Sequence, residues 1–146
     1  MRIILQTLVK QNPTTVFAGF TKELFLKLAP PFPPVRLLRF DGSQAGDIVE
    51  LELNFLFFKN TWQSLITTQN TSPEEIFFID EGKKLPFFLR FWHHKHRIVT
   101  SNTGSIIIDE ITYKSPFKIL DYLLYPMMYA QFAYRKPIYK KVFGKV

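Results

Sequence analysis

No cysteine occurs in the 146 residues, which excludes disulfides and thiolate-bound metal. No apolar run approaches the ~18–20 residues of a membrane span. The opening stretch MRIILQTLVK has a brief apolar core and no small-residue cleavage site, so it reads as a strand rather than a signal peptide. These absences fit a cytoplasmic protein. There is also no glycine-rich phosphate loop and no nucleophile elbow. Acidic residues are the minority, 12 against 19 Lys and Arg, for a net charge of +7. Such an excess favours nucleic acid or anionic lipid when it is concentrated. Here it is spread along the chain, with one loose cluster at Arg135, Lys136, Lys140, Lys141 and Lys145. A helix dipole favours cations at that end. No nucleic-acid partner is expected; peripheral membrane contact through the basic C-terminal helix remains an alternative.

What the chain has is phenylalanine. Its 16 Phe and 47% hydrophobic content are a folding composition. Burying one Phe stabilises by roughly 1.5–3 kcal/mol, against about 1–2 kcal/mol to order each residue's backbone. Residues 3–9 read as a strand. Asn12 as N-cap and Pro13 at the first helical position start a short helix. A second short helix runs from about Thr21 until Pro30-Pro31 stops it. APPFPP then forces an extended crossing.

Strands follow. DIVELELNFLFF alternates, placing Val49, Leu51, Leu53, Phe55 and Phe57 on one face and Glu50, Glu52 and Asn54 on the other. Lys59-Asn60 is the expected turn into TWQSLITTQ. EEIFFID is a further strand, and FFLRFWHHKHRIV pairs with SIIIDEITY around Ser101-Asn102-Thr103-Gly104. Ser115-Pro116 then reads as N-cap and N1 proline of a long C-terminal helix. Leu120, Leu124, Met127, Gln131, Tyr134 and Ile138 recur at helical spacing, with Pro126 and Pro137 expected to kink or split it. The order implies an α+β layout: one domain over residues 1–146, helices on one side of an antiparallel sheet of about six or seven strands.

This order resembles the helix-grip fold of the START/Bet v 1-like (SRPBCC) superfamily, closest to its small bacterial ligand-binding members. PTTVFAGFTKELFLKLAPP, FIDEGKKLPFFLRFWHHKHRI, GSIIIDEITYKSP and QFAYRKPIYKKVF carry the resemblance, which covers nearly the whole chain. It implies a curved sheet wrapped around a long C-terminal helix, with a cavity between them for an apolar or amphipathic ligand. Some members are cyclases, aromatases or hydrolases, and many only bind or carry, so the fold alone does not choose a function.

All three histidines lie in FWHHKHRI. Strand alternation divides them. Trp92, His94, His96 and Ile98 share a face bounded by large apolar residues, while His93 joins Lys95 and Arg97 outside. Counting back from the turn sets Ile98 opposite Ile107, His96 opposite Asp109, His94 opposite Ile111 and Trp92 opposite Tyr113. Opposed side chains have Cβ atoms about 4.5–5.5 Å apart, so a His96–Asp109 hydrogen bond is expected. Three readings remain open: a structural pair satisfying buried polar groups, the polar end of a ligand pocket, and a metal or catalytic centre. Two His and a carboxylate are a known iron-binding set, but no further His or Cys completes a tetrahedral zinc site. No cofactor, metal or catalytic residue is assigned; His96 and Asp109 would be the acid–base pair of a cyclase-like alternative. The residues expected to line a ligand site are Trp92, His94, His96, Asp109, Tyr113 and Gln131, with Phe55 and the adaptable Met127 as apolar wall.

Overall fold

The computed structural model describes all 146 residues. Strand β1 (Arg2–Val9) leads into α1 (Pro13–Ala18) and α2 (Lys22–Leu28). Strands β2 (Val35–Phe40), β3 (Ile48–Phe55), β4 (Phe58–Thr71), β5 (Glu75–Lys84), β6 (Phe91–Ser101) and β7 (Gly104–Lys114) follow, then α3 (Lys118–Ala133) and α4 (Arg135–Phe143). All seven strands form one sheet in the order β1-β7-β6-β5-β4-β3-β2. Every neighbouring pair is antiparallel. The helices pack on one face: α1 on β5, β6 and β7, α3 on β7 and β1, and α4 on β1.

Local chemistry explains the ends of these elements. The Asn12 side chain accepts from the Thr15 amide at 2.9 Å, and Thr21 caps α2 through the Leu24 amide at 3.3 Å. The Asn12 cap matches the sequence expectation, and α2 starts beside Thr21 as expected. The long helix starts later than expected. Ser115 and Pro116 precede it, and its first residue is Lys118. The Ser115 hydroxyl turns to the Phe117 carbonyl, and the Ser115 amide donates to Asp121 at 2.6 Å, which ties the strand end to the helix. Pro126 stays inside α3, whereas the helix divides before Pro137. Pro137 falls in the first turn of α4, where a missing N–H costs no hydrogen bond.

The β3–β4 turn is Leu56-Phe57, not Lys59-Asn60. This register sets Leu51 opposite Trp62 and Phe55 opposite Phe58, whose rings stack at 5.3 Å. Phe57 consequently points into solvent rather than at the sheet's inner face. Residues 86–90 form a loop, held by Leu89 N–H donating to the Pro86 carbonyl, so β6 begins at Phe91. The β6–β7 hairpin closes as expected, with Gly104 at φ 141°, a conformation that favours glycine.

Two apolar clusters fill the space between sheet and helices. One gathers Ile3, Leu5, Trp92, Ile111, Tyr113, Met128 and Phe132; the other gathers Val9, Val16, Leu28, Ile98, Ile107, Tyr139 and Phe143. The break between them runs across β6 and β7 at His94, His96 and Asp109, all buried.

Candidate functional site

Strand β6 supplies the floor of the site by alternation. Trp92, His94, His96 and Ile98 are buried, while Phe91, His93, Lys95 and Arg97 face outward. The observed register pairs Trp92 with Tyr113, His94 with Ile111, His96 with Asp109 and Ile98 with Ile107, as the turn spacing predicts. On the other flank β5 sets Asp80 opposite His94 and Phe78 opposite His96.

The hydrogen bonds run along the diagonals. His94 Nε2 meets Asp109 Oδ1 at 2.9 Å, and His96 Nε2 meets Asp80 Oδ2 at 2.7 Å. The second ring nitrogens complete the pattern at longer range. His94 Nδ1 lies 3.5 Å from Asp80 Oδ2, and His96 Nδ1 lies 3.8 Å from Asp109 Oδ1. The expected His96–Asp109 hydrogen bond is thus corrected: the pair is opposed but not bonded. An imidazole and a carboxylate together outreach the short gap between directly opposed Cβ atoms, and diagonal partners suit their length. The imidazoles themselves stack, with centroids 3.5 Å apart, and Phe78 covers His96 at 4.2 Å in a nearly parallel plane. Two carboxylates therefore clamp a stacked imidazole pair from opposite ends.

The surrounding groups set the charge. Trp92 Nε1 donates to Asp80 Oδ1 at 3.0 Å. Arg135 Nη1 approaches Asp109 Oδ1 to 3.9 Å, and its guanidinium lies over the Phe132 ring. Burial opposes ionisation of Asp80, but the hydrogen bond from His96, the two nearby imidazoles and Trp92 outweigh it and hold the carboxyl at about 2. Burial likewise opposes ionisation of Asp109, and its bond to His94 wins, so this carboxyl also lies below its ordinary range. For His94, burial and then the neighbouring His96 push the imidazole down to about 4 despite both carboxylates. At neutral pH the floor holds two carboxylates against Arg135 and a neutral His94. Two buried polar atoms there have no hydrogen-bond partner, His96 Nδ1 and the Tyr139 hydroxyl.

Above this floor lies a cavity of about 210 Å³. Its walls come from Val49, Leu51, Leu53 and Phe55 of β3 and Trp62 of β4, with Phe20 and Leu28 on the α1–α2 side. Met127, Met128, Gln131, Phe132 and Arg135 cover it from the helices. Phe32 and Met127 are exposed at its rim. Of the residues expected at a ligand site, Trp92, His94, His96, Gln131, Met127 and Phe55 line this cavity. Asp109 stands behind His94 rather than at the surface of the cavity. Tyr113 is a correction. It lies in the first apolar cluster and donates its hydroxyl to the Asp121 carbonyl at 2.8 Å, so it anchors the start of α3 instead.

Two site residues were missed by sequence reasoning, and both had a signal. Asp80 follows Ile76 and Phe78 at two-residue steps, which places it on the inner face of β5. Arg135 sits one helical turn beyond Gln131 and Phe132, on the cavity side, although its sequence neighbours suggest a solvated basic tail. Asp80 also revises the ligand count for a metal. One oxygen of Asp80 and one nitrogen each of His94 and His96 lie within 4.8 Å of one another.

A seven-stranded antiparallel sheet packed against a divided C-terminal helix, with two short helices after the first strand, is a helix-grip α+β fold. Among solved structures, protein Ms6760 from Mycobacterium smegmatis superposes with a TM-score of 0.70, at 14% identity over 99% of this chain and 91% of that one. The di-domain ARO/CYC protein StfQ of the steffimycin biosynthetic pathway gives 0.69, at 9% identity over 99% of this chain and 50% of its own. Ara h 8.0201 gives 0.59, at 12% identity over 94% of this chain and 96% of that one. At these identities the likeness is one of fold. No protein-family model matches the chain, and no curated protein is similar to it in sequence. No helix is long and apolar enough to cross a membrane.

Proposed function

We propose that residues 1–146 act as one START/Bet v 1-like domain that binds a small hydrophobic or amphipathic molecule in the cavity between sheet and helices. The guest's apolar part lies among Leu51, Leu53, Phe55 and Met127. Its polar end meets His96, Gln131 and Arg135. One observation carries this reading: an aromatic-walled cavity ends on a polar floor lined by Asp80, His94, His96, Gln131 and Arg135. The cavity of about 210 Å³ opens to the surface beside the exposed Phe32 and Met127, which gives a guest a way in. The volume limits the guest to a small molecule, and the cysteine-free composition fits a cytoplasmic one. A His96–Asp109 acid–base pair gains no support from the geometry, because the hydrogen bond of Asp109 goes to His94.

Native mass spectrometry of the purified protein, together with titration by the fluorophore anilinonaphthalene sulfonate, tests the reading. A bound small-molecule mass or one saturable probe site is expected, with Leu51→Trp weakening probe binding at least about tenfold by filling the cavity, a loss equal to 1.4 kcal/mol. Absence of both a bound mass and a Leu51-sensitive probe site would sink it.

A further inference from the structure

We propose that the cavity floor holds one divalent first-row transition-metal ion, ligated by His94 Nδ1, His96 Nε2 and Asp80 Oδ2, with its remaining coordination positions open to the cavity. This goes beyond ligand binding and does not depend on it.

Geometry is the first argument. Asp80 Oδ2 lies 3.5 Å from His94 Nδ1 and 2.7 Å from His96 Nε2. Ligands about 2.0–2.2 Å from a shared ion stand about 3–3.5 Å apart, and the three atoms lie within 4.8 Å of one another, so the imidazoles must draw together to close on it. A set of two imidazoles and one carboxylate with open positions suits zinc or non-haem iron.

The outer hydrogen bonds are the second argument. His94 gives its Nε2 to Asp109 at 2.9 Å, which leaves Nδ1 as the lone-pair nitrogen facing Asp80. Metal-bound histidines are ordinarily oriented in this way by a carboxylate on the other ring nitrogen. For His96 the orphaned Nδ1 becomes intelligible. A metal bound at Nε2 would displace the single ring proton held between Nε2 and Asp80, and tautomerisation would carry that same proton to Nδ1, leaving the imidazole neutral. That nitrogen faces Asp109 Oδ1 at 3.8 Å, so a modest closure gives it the partner it lacks in the metal-free arrangement.

Protein stripped by chelation is titrated with Co²⁺ and Zn²⁺, followed by calorimetry and, for Co²⁺, visible absorption. One ion per chain with a ligand-field band is expected. Asp80→Asn and His94→Gln should each weaken binding by more than about 100-fold, and Asp109→Asn by about 10–100-fold through loss of the orienting bond. His93→Ala, on the outer face, should leave it unchanged. Two ligand variants are used so that a folding defect in one does not decide the outcome. Sub-stoichiometric binding overturns the proposal, as does binding retained in both Asp80→Asn and His94→Gln or lost in His93→Ala. The anilinonaphthalene sulfonate titration is run on metal-free protein, so the two readings fail separately.

Discussion

Strand β6 and its two neighbours carry one polar network on each face, arginine with glutamates outside and histidines with aspartates inside. Outside, Arg97 forks onto Glu75 of β5 and donates to Glu110 of β7 at 2.9 Å, all three partly exposed. Inside, His94 and His96 bridge Asp80 of β5 and Asp109 of β7; the imidazoles and Asp109 are buried, and Asp80 is partly exposed toward the cavity. Topology is shared, and the parity and type of the residues differ. On the outer face water reaches the charges and weakens each pair, although the hydrogen bond to Arg97 still lowers Glu75. On the inner face His94 and Asp109 are buried, and burial together with the neighbouring groups shifts the titration of both. Burial separates a structural ion pair from a candidate site.

Asp109 and Glu110 are adjacent in sequence and face opposite ways, so they give the sharpest test. Asp109→Ala leaves the His94 N–H and the Arg135 guanidinium facing an unpaired buried space. Breaking a buried pair by removing one partner costs about 3–5 kcal/mol. Glu110→Ala should cost no more than about 1 kcal/mol, because Arg97 keeps Glu75 and solvent replaces the rest. Urea unfolding of both variants measures the difference. Equal losses would break the comparison between the two faces.

Acid should act on the inner face first. Metal-free His94 binds its proton near pH 4 when folded and near 6.5 when unfolded. The unfolded chain therefore takes up this proton first, and stability falls as pH drops from 6.5 towards 4. The loss is about 3 kcal/mol, from roughly 1.4 kcal/mol per unit. Asp80 adds a second loss below its ordinary 3.8, as pH falls towards about 2. On the outer face Glu75 is lowered by its hydrogen bond to Arg97, so its contribution begins to fade only below 4.5. Thermal unfolding at stepped pH should show the upper phase in the native protein and not in His94→Gln.

How much of this was legible beforehand follows from the same contrast. Alternation and a short hairpin loop determine parity, so the inner placement of His94 and His96 and the outer placement of His93 could be read from spacing. The register against Asp109 came with them. Hydrogen-bond partners could not be read, because they depend on side-chain reach along the diagonal, and a strand count gives only opposed pairs. Asp80 was hidden because β5 looks like an apolar strand with an acidic end. Arg135 was hidden by its basic neighbours, which belong to a surface it does not share. Tyr113 had the right parity for the cavity. The position of Asp121, eight residues on, drew its hydroxyl to the start of α3 instead.

A smaller effect probes how closely the floor is satisfied. Trp92→Phe keeps the ring in the apolar cluster beside Phe132 but removes the N–H that Asp80 Oδ1 accepts at 3.0 Å. A hydrogen bond to a charged group contributes about 1.5–3 kcal/mol, and Asp80 retains His96, so a loss near the lower figure is expected. The carboxyl should also titrate higher than in the native protein, a shift that carbon NMR of the Asp80 side chain can follow.

The smallest expected effect lies outside. Glu75→Gln removes the charge that Arg97 grips while keeping an acceptor oxygen in place, and Glu110 remains at 2.9 Å from Arg97. A half-exposed pair of this kind contributes about 0–1 kcal/mol. The loss should shrink further in 1 M salt, where the screening length falls to about 3 Å. The inner-face variant Asp109→Asn should keep its full cost under the same salt, since no ions reach it. If salt moves both variants alike, the floor is wetter than its burial implies, and the distinction between the two faces rests on geometry alone.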